Sequence, residues 1–582
     1  DAQESRGLGD VYKRQIMVNG KPGAAHLILQ DAAGKMLANL PRLPGGWAEG
    51  ELSLRLPAGY YNVTASAGPR SFPWQGAVEV KPNAVEHCVA NIAAYGDVSD
   101  LGWRLCDPYV EIGIDLSPCA RFPAVFDDLF IAARGEGLEV AGFAGLWDLL
   151  APQGKTYGEM INGQEMLTQA IRQAAAAHLL GLAATAENEA TCGFFYTLSP
   201  TPLRLAANSS LRTRLSEVRD RGGAVVVHRV AECIYGDGGR GDIEAAAAFI
   251  LRLFTGPIFQ AMDIGGDSRD LEIWQALLQM GYRLPAIAGG PGQIAPRGSH
   301  IPAAGCYVLL PPQACGPSAF FTSLQSGRIV VSNGPFIRLL VDGAGVGDTI
   351  PPSSASRQVL IEAIASSYAG DEIDGIELIY NGSSLGKWAG APAQKGIRIR
   401  ALQEFGEPGW IIAHYRSRRR DLWAFTNPIY VQSGRLGQPP PIAGDLTILL
   451  CDRQSGAALA GTAEVWSGGA CCATFSLSAL GQRIAVPFDA ALRIVAAGYA
   501  VREIWPSEEI SLRGRLSSIL AARPPAAWLA PETLQACRDA MANLSLIVAL
   551  ERDTAAVDAG EAEIDGRQRG AAEDANCPAL AR

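Results

Sequence analysis

The chain has 582 residues, of which 48% are hydrophobic and 19% charged. This length is too great for one hydrophobic core, so we expect roughly three to five globular domains. The 49 Lys and Arg residues against 59 Asp and Glu give a net charge of −10, which opposes binding to nucleic acid or anionic lipid. No apolar run approaches the ~18 residues that a transmembrane helix needs.

The first residues contain a segment that we interpret as foreign to the gene. Residues 10–15 read DVYKRQ, which one reading frame of a sequencing-library transposon end would encode. We therefore expect residues 1–15 to be an assembly artefact without defined packing contacts. The N-terminus then looks truncated, so no leader peptide is observable, and we expect a periplasmic or extracellular protein.

The remaining chain predicts four structured modules and a tail. Short strands between turn signals predict a β-sandwich over 16–95, and alternating apolar strands and helices predict a (β/α) region over 96–335. β alternation returns over 336–435, as in an Ig-like sandwich, and Pro439–Pro441 marks a linker. A further β domain is expected at 444–520. Residues 521–582 predict a helix at 531–542 followed by a disordered tail.

The twelve cysteines are scattered, without a C-x-x-C pair. This spacing excludes zinc-ribbon and thioredoxin-like sites. Disulfides are possible between distant partners, but the sequence does not pair them. We predict that Cys471 and Cys472 lie in the core face of a strand.

Four motifs occur in a fixed order across the central modules. Gly102-Trp103 precedes Asp107-Pro108-Tyr109-Val110-Glu111, and residues 222–228 read GGAVVVH. Residues 274–285 read WQALLQMGYRLP, and Gly327-Arg328 precedes SNGP at 332–335. The apolar runs at 225–227 and 284–288 predict buried parallel strands, with His228 at the carboxyl end of its strand.

These motifs resemble the CehA/McbA-type branch of the PHP (polymerase and histidinol phosphatase) superfamily over most of residues 50–435. The resemblance implies a distorted (β/α) PHP-type barrel, flanked here by β-sandwich domains, so the fold class is α/β plus all-β modules. The last module, with Ala497-Gly498-Tyr499 after a strand, resembles carboxypeptidase-regulatory-like domains.

The family holds divalent metals with histidines and carboxylates, and most of these ligands are replaced here. Tyr109 and Glu111 stand at the two histidines of its D-x-H-x-H motif, and Phe194 at the histidine expected after Glu187-Asn188-Glu189. Gly289-Gly290-Pro291 replaces a late aspartate motif. The resemblance leaves one reduced set for a single zinc or manganese ion: Asp107, Glu111, Glu187 and His228.

Each remaining candidate also has a structural interpretation. His228 could be a hydrogen-bonded core histidine, Asp107 could form a turn before Pro108, and Glu187 and Glu189 could be solvated at a strand exit. The residues that replace ligands, with Glu189, define an altered pocket: Tyr109, Glu189, Phe194 and Pro291. Tyr109 and Phe194 would turn a polar pocket into a stacking surface.

Three functions follow from this degenerate pattern. The first is a non-catalytic binding or scaffold protein for a small molecule, glycan or protein ligand, without a metal. The second is a metal-dependent hydrolase, acting on phosphoesters, esters or amides through one zinc or manganese ion. The third is a purely structural cell-surface protein. Convergence of Asp107, Glu111, Glu187 and His228 would favour the second.

Overall fold

A computed structural model describes residues 11–37, 46–112, 130–144, 171–201, 217–235, 241–265, 268–294, 305–432, 443–504 and 510–552, apart from gaps of one to four residues within these ranges. The chain divides into two compact units. The first comprises residues 1–240 and 258–439, and the second comprises 241–257 and 440–582. The described chain is mostly β.

Helices of defined bounds lie between and after the strands. In chain order they are α1 (Val230–Tyr235), α2 (Ile243–Phe254), α3 (Ser268–Gln279), α4 (Pro317–Gln325), α5 (Ile510–Ala521) and α6 (Pro531–Met541). None of the helices in the described part of the chain is long and apolar enough to cross a bilayer.

Two sheets at the N-terminus share one hydrophobic core. Their strands are β1 (Val11–Val18), β2 (Lys21–Pro22), β3 (Ala24–Asp31), β4 (Trp47–Glu49), β5 (Glu51–Arg55), β6 (Gly59–Ser66), β7 (Ser71–Phe72), β8 (Trp74–Val80) and β9 (His87–Ala94). One sheet has the order β2-β1-β9-β7, with β5 also on β1, and the other has the order β4-β3-β6-β8. Alternate residues such as Leu27, Leu29 and Val63 are buried between them, as expected for strands with one solvated face.

Strand β1 corrects the expectation that residues 1–15 make no defined contacts. It is paired on both edges, antiparallel to β5 from Val11 to Gln15 and parallel to β9 from Lys13 to Val18. Ile16 is fully buried in the shared core. Residues 11–15 therefore belong to the sheet because they fill the space between two strands that would otherwise expose unpaired backbone. Residues 1–10 lie outside the described residues.

The pairing of β1 gives a direct test. We expect Arg14→Pro to lower the thermal midpoint of the full chain, because proline removes an N–H donor from a strand paired on both edges. Arg14→Thr keeps the donor and should change the midpoint little. Both variants are compared by circular dichroism during heating. Equal midpoints for the two variants would contradict a structural role for residues 11–15.

The next strands form a sheet that curls as a half-barrel. They are β10 (Trp103–Ile112), β11 (Val140–Ala144), β12 (Leu180–Glu189), β13 (Gly193–Ser199), β14 (Ala224–His228), β15 (Ala261–Asp263), β16 (Ala286–Ile287), β17 (Gly292–Ile294), β18 (Gly305–Leu309) and β19 (Ile329–Ser332). Their order is β16-β15-β14-β13-β12-β11-β10-β18-β19, with β17 also on β10. No pairing joins β16 to β17 among the described residues, so the expected closed PHP-type barrel is not established.

The predicted parallel strands are present. β14, β15 and β16 are parallel neighbours, the residues of β14 before His228 are buried, and His228 is the last residue of its strand. The sheet is nevertheless mixed, because β13 is antiparallel to both β12 and β14. Three residues separate β12 from β13, which is too short for the crossover that a parallel pair needs.

The module at 336–435 continues the same sheet. Its strands are β20 (Phe336–Val341), β21 (Thr349–Ile350), β22 (Ser353–Ile364), β23 (Ile373–Tyr380), β24 (Ser383–Ala389), β25 (Gly396–Phe405), β26 (Gly409–Ser417), β27 (Trp423–Thr426) and β28 (Ile429–Val431). β27 pairs with β19, and β26, β23 and β24 follow it outward. The separate sheet β20-β22-β25 packs on this extension. The boundary predicted at residue 335 therefore does not interrupt the hydrogen-bonded sheet.

Two titratable side chains in this module have lowered pKa values, which make the fold less stable in acid. Burial, and to a lesser degree Arg416, lowers the pKa of His414 to about 4. Burial of Glu377 opposes its ionisation, but hydrogen bonds from Ser384, Arg416 and Lys387 lower its pKa to about 2. The folded chain thus favours neutral His414 and ionised Glu377.

We expect the first unit to lose stability as the pH falls from 6.5 to 4. In that window the unfolded chain binds a proton at His414 that the folded chain excludes, so protons favour unfolding by roughly 1–3 kcal/mol. His414→Gln should remove much of this pH dependence when thermal midpoints are measured at pH 7 and pH 4.5. His87→Gln, at an exposed histidine, serves as the control. An unchanged pH slope in His414→Gln would refute the assignment.

The described residues of the second unit form two sheets and the helices α2, α5 and α6. Its strands are β29 (Ala443–Asp452), β30 (Ala458–Leu459), β31 (Gly461–Ser467), β32 (Ala470–Leu477), β33 (Gln482–Pro487), β34 (Ala491–Val495), β35 (Arg502–Ile504) and β36 (Asn543–Leu550). The sheets have the orders β30-β29-β33, with β36 parallel to β29, and β32-β31-β34-β35. A 3-10 turn, Pro525–Ala527, separates α5 from α6.

Three expectations are corrected in this unit. The region predicted as helix and tail also supplies β36, which extends a sheet begun a hundred residues earlier. Helix α2 falls within the segment 96–335 that predicts the (β/α) region, but it belongs to this unit and packs on α5, where Ser517 donates a hydrogen bond to Glu244 at 2.7 Å. Its run of alanines permits close helix contact. Cys471 and Cys472 are exposed rather than in a strand core. Residues 553–582 lie outside the described residues.

Candidate functional site

Several strand ends meet at one edge of the half-barrel. β10, β11, β12, β14, β15 and β16 all run in the same direction, because β13 reverses the chain between two antiparallel pairings. His228 and Asp263 are the last residues of β14 and β15. The carboxyl ends of parallel strands are the usual location of functional groups.

Asp263 is a buried carboxylate that accepts several hydrogen bonds at this edge. Its carboxylate is 2% exposed. Oδ2 accepts hydrogen bonds from the Tyr196 hydroxyl and from the Gly289 N–H, both at 3.0 Å, and Oδ1 accepts one from the Gly265 N–H at 3.0 Å. The Nδ1 atom of His228 lies 3.6 Å from Oδ2. A buried carboxylate needs such donors because it has lost water.

Tyr196 is a fixed hydrogen-bond donor. Its side chain is 1% exposed, and burial, followed by the charge of Asp263, raises its pKa well above the ordinary value. The phenol therefore stays protonated at neutral pH. This protonation state keeps the hydroxyl directed to the carboxylate oxygen.

Three aromatic rings adjoin the carboxylate. The ring centroids of Tyr109 and Tyr196 are 4.8 Å apart, and each tyrosine lies 5.8 Å from the ring of His228. These separations are in the range of favourable aromatic contacts. Tyr109 is 7% exposed, and the His228 side chain is 15% exposed. The rings thus form a largely enclosed aromatic surface.

A β-bulge in β10 brings Asp107 and Tyr109 to this edge. The register to β11 shifts between Asp107 and Val110, at Pro108, which has no N–H for the ladder. Asp107 is fully buried, and its Oδ1 accepts a hydrogen bond from the Tyr109 N–H at 3.0 Å. Opposite the bulge, a Cβ on Gly142 would lie 2.0 Å from the Pro108 carbonyl oxygen. Glycine is therefore required there for β11 to approach the bulge.

The backbone leaves β14 through a strained residue. Arg229 has a φ of 51°, a conformation that non-glycine residues rarely adopt. Helix α1 begins at the next residue, and its Ala231 N–H donates a hydrogen bond to the buried Asp270 carboxylate of α3 at 2.7 Å. The turn and this hydrogen bond fix the direction in which the chain leaves His228.

The predicted site residues are only partly brought together. Tyr109 and His228 are ring neighbours, and His228 lies beside Asp263. Glu111, Glu187, Glu189 and Phe194 are placed by backbone register alone: Glu111 lies opposite Ala144, Glu187 opposite Phe195, Glu189 opposite Gly193, and Phe194 opposite His228. Pro291 lies outside the described residues. The predicted convergence of the four metal candidates therefore stays a prediction.

His228 and Asp263 are two possible metal donors that lie side by side at this edge. Among the described residues, no group of three His, Cys, Asp or Glu side chains is arranged to hold a metal ion. Both oxygens of Asp263 already accept hydrogen bonds from neutral donors. A divalent ion needs several lone-pair donors that face it directly, and here Tyr109 and Tyr196 lie against His228 instead.

Asp263 and Tyr196 are not among the residues to which the sequence motifs point. The motifs assign no strand to residues 193–199, where Phe194 alone is interpreted, as the replacement of a metal ligand. Asp263 ends a short apolar run and precedes a glycine-rich turn, Gly265-Gly266. An apolar run that ends in a carboxylate and is followed by glycines is the sequence pattern that points to Asp263.

Comparison with known proteins gives weak similarities. No family model matches the chain, and no curated protein does. A two-domain protein containing a predicted PHP-like metal-dependent phosphoesterase from Bacteroides vulgatus is 11% identical, with 57% of this chain and 96% of that chain covered and a TM-score of 0.32. Bacteroides uniformis beta-glucuronidase 3 is 11% identical, with 85% and 76% covered and a TM-score of 0.16. TM-scores this low do not establish a shared fold.

Gly289 offers a test of how closely the site is packed. A Cβ at this position would lie 2.8 Å from the Tyr109 Cβ and 3.2 Å from Asp263 Oδ2. We expect Gly289→Ala to destabilise the fold by about 1–3 kcal/mol, because the added methyl group displaces Tyr109. Denaturant unfolding measures the change. Gly406→Ala, at an exposed glycine with open space around its Cα, should be nearly neutral, and equal effects would contradict the packing argument.

Proposed function

We propose that this chain is a PHP-like protein whose strand-end site has been converted from metal-dependent hydrolysis to non-catalytic binding or scaffolding. The observation that supports this most directly is the Asp263 carboxylate. At the edge where the resemblance places metal ligands, this carboxylate accepts hydrogen bonds from Tyr196 and Gly289. The ligand class is a small molecule, a glycan or a protein segment.

The aromatic rings support the same proposal. Tyr109 occupies a position where the resemblance expects a histidine, and its ring lies against those of Tyr196 and His228. An imidazole that contacts two aromatic rings has less freedom to approach a metal ion. The partly exposed edge of His228, with Tyr109 beside it, is the surface that a ligand would contact.

A one-metal hydrolase is the second candidate. It is favoured by the 3.6 Å separation of His228 Nδ1 and Asp263 Oδ2 and by the buried carboxylate of Asp107 on β10, two residues before Tyr109, whose ring contacts His228. These three residues, with Glu111 or Glu187, would supply the oxygen-rich set that hard cations accept. The metal would activate water. The periplasmic or extracellular location stays a proposal in both cases.

Titration of the full chain with zinc and manganese separates the two candidates. We expect dissociation constants no tighter than about 1 mM, or only ~4 kcal/mol of binding free energy, and no hydrolysis of bis-p-nitrophenyl phosphate above the buffer rate. Micromolar binding with turnover that His228→Ala abolishes would reverse the ranking and establish the hydrolase.

Asp263→Asn supplies an independent readout. Under the proposal, Asp263→Asn lowers the stability of the fold, because the Asn amide N–H group would face the N–H and O–H groups that now donate to the carboxylate. The variant, like the unsubstituted chain, would show no turnover. Asp371→Asn is the matched control, since Asp371 is a buried carboxylate that accepts hydrogen bonds from Ser366, Tyr415 and Ser417. Under the hydrolase interpretation, only Asp263→Asn would remove activity.

A further inference from the structure

Two buried cysteines lie directly opposite each other in the half-barrel sheet. Cys106 on β10 and Cys306 on β18 are cross-strand partners in the antiparallel register. Both residues are 0% exposed. Cys106 immediately precedes Asp107 of the candidate site, and neither thiol has a part in the proposed function.

The ladder places this pair at a spacing suited to a covalent link. The Leu310 N–H donates a hydrogen bond to the Gly102 carbonyl at 2.8 Å, so these two residues form a hydrogen-bonded pair of the ladder. Such pairs recur at every second residue, which makes Cys106 and Cys306 a hydrogen-bonded pair as well. The Cα atoms of Cys106 and Cys306 are then about 5.5 Å apart, close to the commonest Cα separation in disulfides.

Both cysteines are buried in the folded chain. A buried thiol is inert toward a small-molecule oxidant, so exchange must precede the burial of the pair.

We propose that Cys106 and Cys306 form a disulfide when the chain folds in the presence of a small-molecule disulfide. The thiolate of one cysteine attacks a sulfur of the oxidant, forming a mixed disulfide and releasing one small thiol. The second cysteine thiolate then displaces the other small thiol. Two protons and two electrons pass to the oxidant, whose S–S bond is replaced by that between Cys106 and Cys306.

The link would join the strand of the candidate site to the strand that leads into the next module. It closes a long loop that includes β11 to β17, and long loops gain the most from a cross-link because the unfolded chain loses the most freedom. The bond would also hold β10 in place at the residue before Asp107.

Peptide mapping tests the proposal. The full chain is refolded with oxidised and reduced glutathione, then denatured, alkylated and digested without reduction. We expect a peptide pair joined through Cys106 and Cys306, and a thermal midpoint that falls by at least about 5 °C when dithiothreitol is added. Alkylation of both cysteines after refolding, or their linkage to other cysteines, would overturn the proposal.

Serine variants separate the disulfide from ordinary packing. Cys106→Ser and Cys306→Ser should each remove the effect of dithiothreitol on the midpoint, whereas Cys537→Ser, at a buried cysteine of the second unit, should retain it. A reductant effect that persists in Cys306→Ser would also refute the link. If a serine variant does not fold, the peptide map of the unsubstituted chain still decides the question.

Discussion

The buried carboxylate of Asp263 sets the geometry of the strand-end site. Removing a carboxylate from water is costly unless donors replace its hydration, and here the Tyr196 hydroxyl and the Gly265 and Gly289 N–H groups do so. These donors come from β13, from the turn after β15 and from the segment after β16. One side chain thus connects three parts of the chain that are remote in sequence, and the His228 Nδ1 atom lies 3.6 Å from its Oδ2 atom.

Local backbone features accommodate this arrangement at some cost. Pro108 lies at a bulge in β10, and β11 can approach this bulge only because residue 142 is glycine. Arg229 adopts a left-handed conformation directly after His228. Such conformations cost on the order of 1–3 kcal/mol each and persist where the surrounding structure over-determines them. One lies directly before Tyr109 and the other directly after His228, so both adjoin residues whose rings are in contact.

The sequence predicted those features that depend on local pattern. The apolar run before His228 had to be a buried strand, and the motif from Trp274 to Pro285 had to join a helix to a strand, where the Trp274 Nε1–H now donates to the Leu284 carbonyl at 2.7 Å. The antiparallel hairpin of β12 and β13 was not predicted, because the sequence motifs assign no strand to residues 193–199. Tyr196 was missed together with that hairpin.

Pairing between strands that are distant in sequence could not be predicted from the sequence pattern for a different reason. β19 pairs with β27 and β29 pairs with β36 across about a hundred intervening residues, and an edge strand accepts any partner with free backbone groups. Modules that look separate in sequence can therefore share one sheet. Likewise, the alanine-rich face of α2 suits any helix that can approach closely, so its place beside α5 in the second unit depends on tertiary contacts and not on its own periodicity.

At this site, neutral hydrogen-bond donors and a metal ion would compete for one carboxylate, that of Asp263. The Tyr196 hydroxyl takes one acceptor position of the Asp263 carboxylate, and the raised pKa of this buried phenol keeps it a neutral donor. The His228 ring packs against two tyrosine rings. Neutral donors satisfy the carboxylate without a second buried charge, so they avoid the desolvation that binding a metal ion entails. Hydrogen bonding of Asp263 to neutral donors and packing of His228 against two tyrosine rings therefore occur together at this edge, because Tyr196 takes part in both.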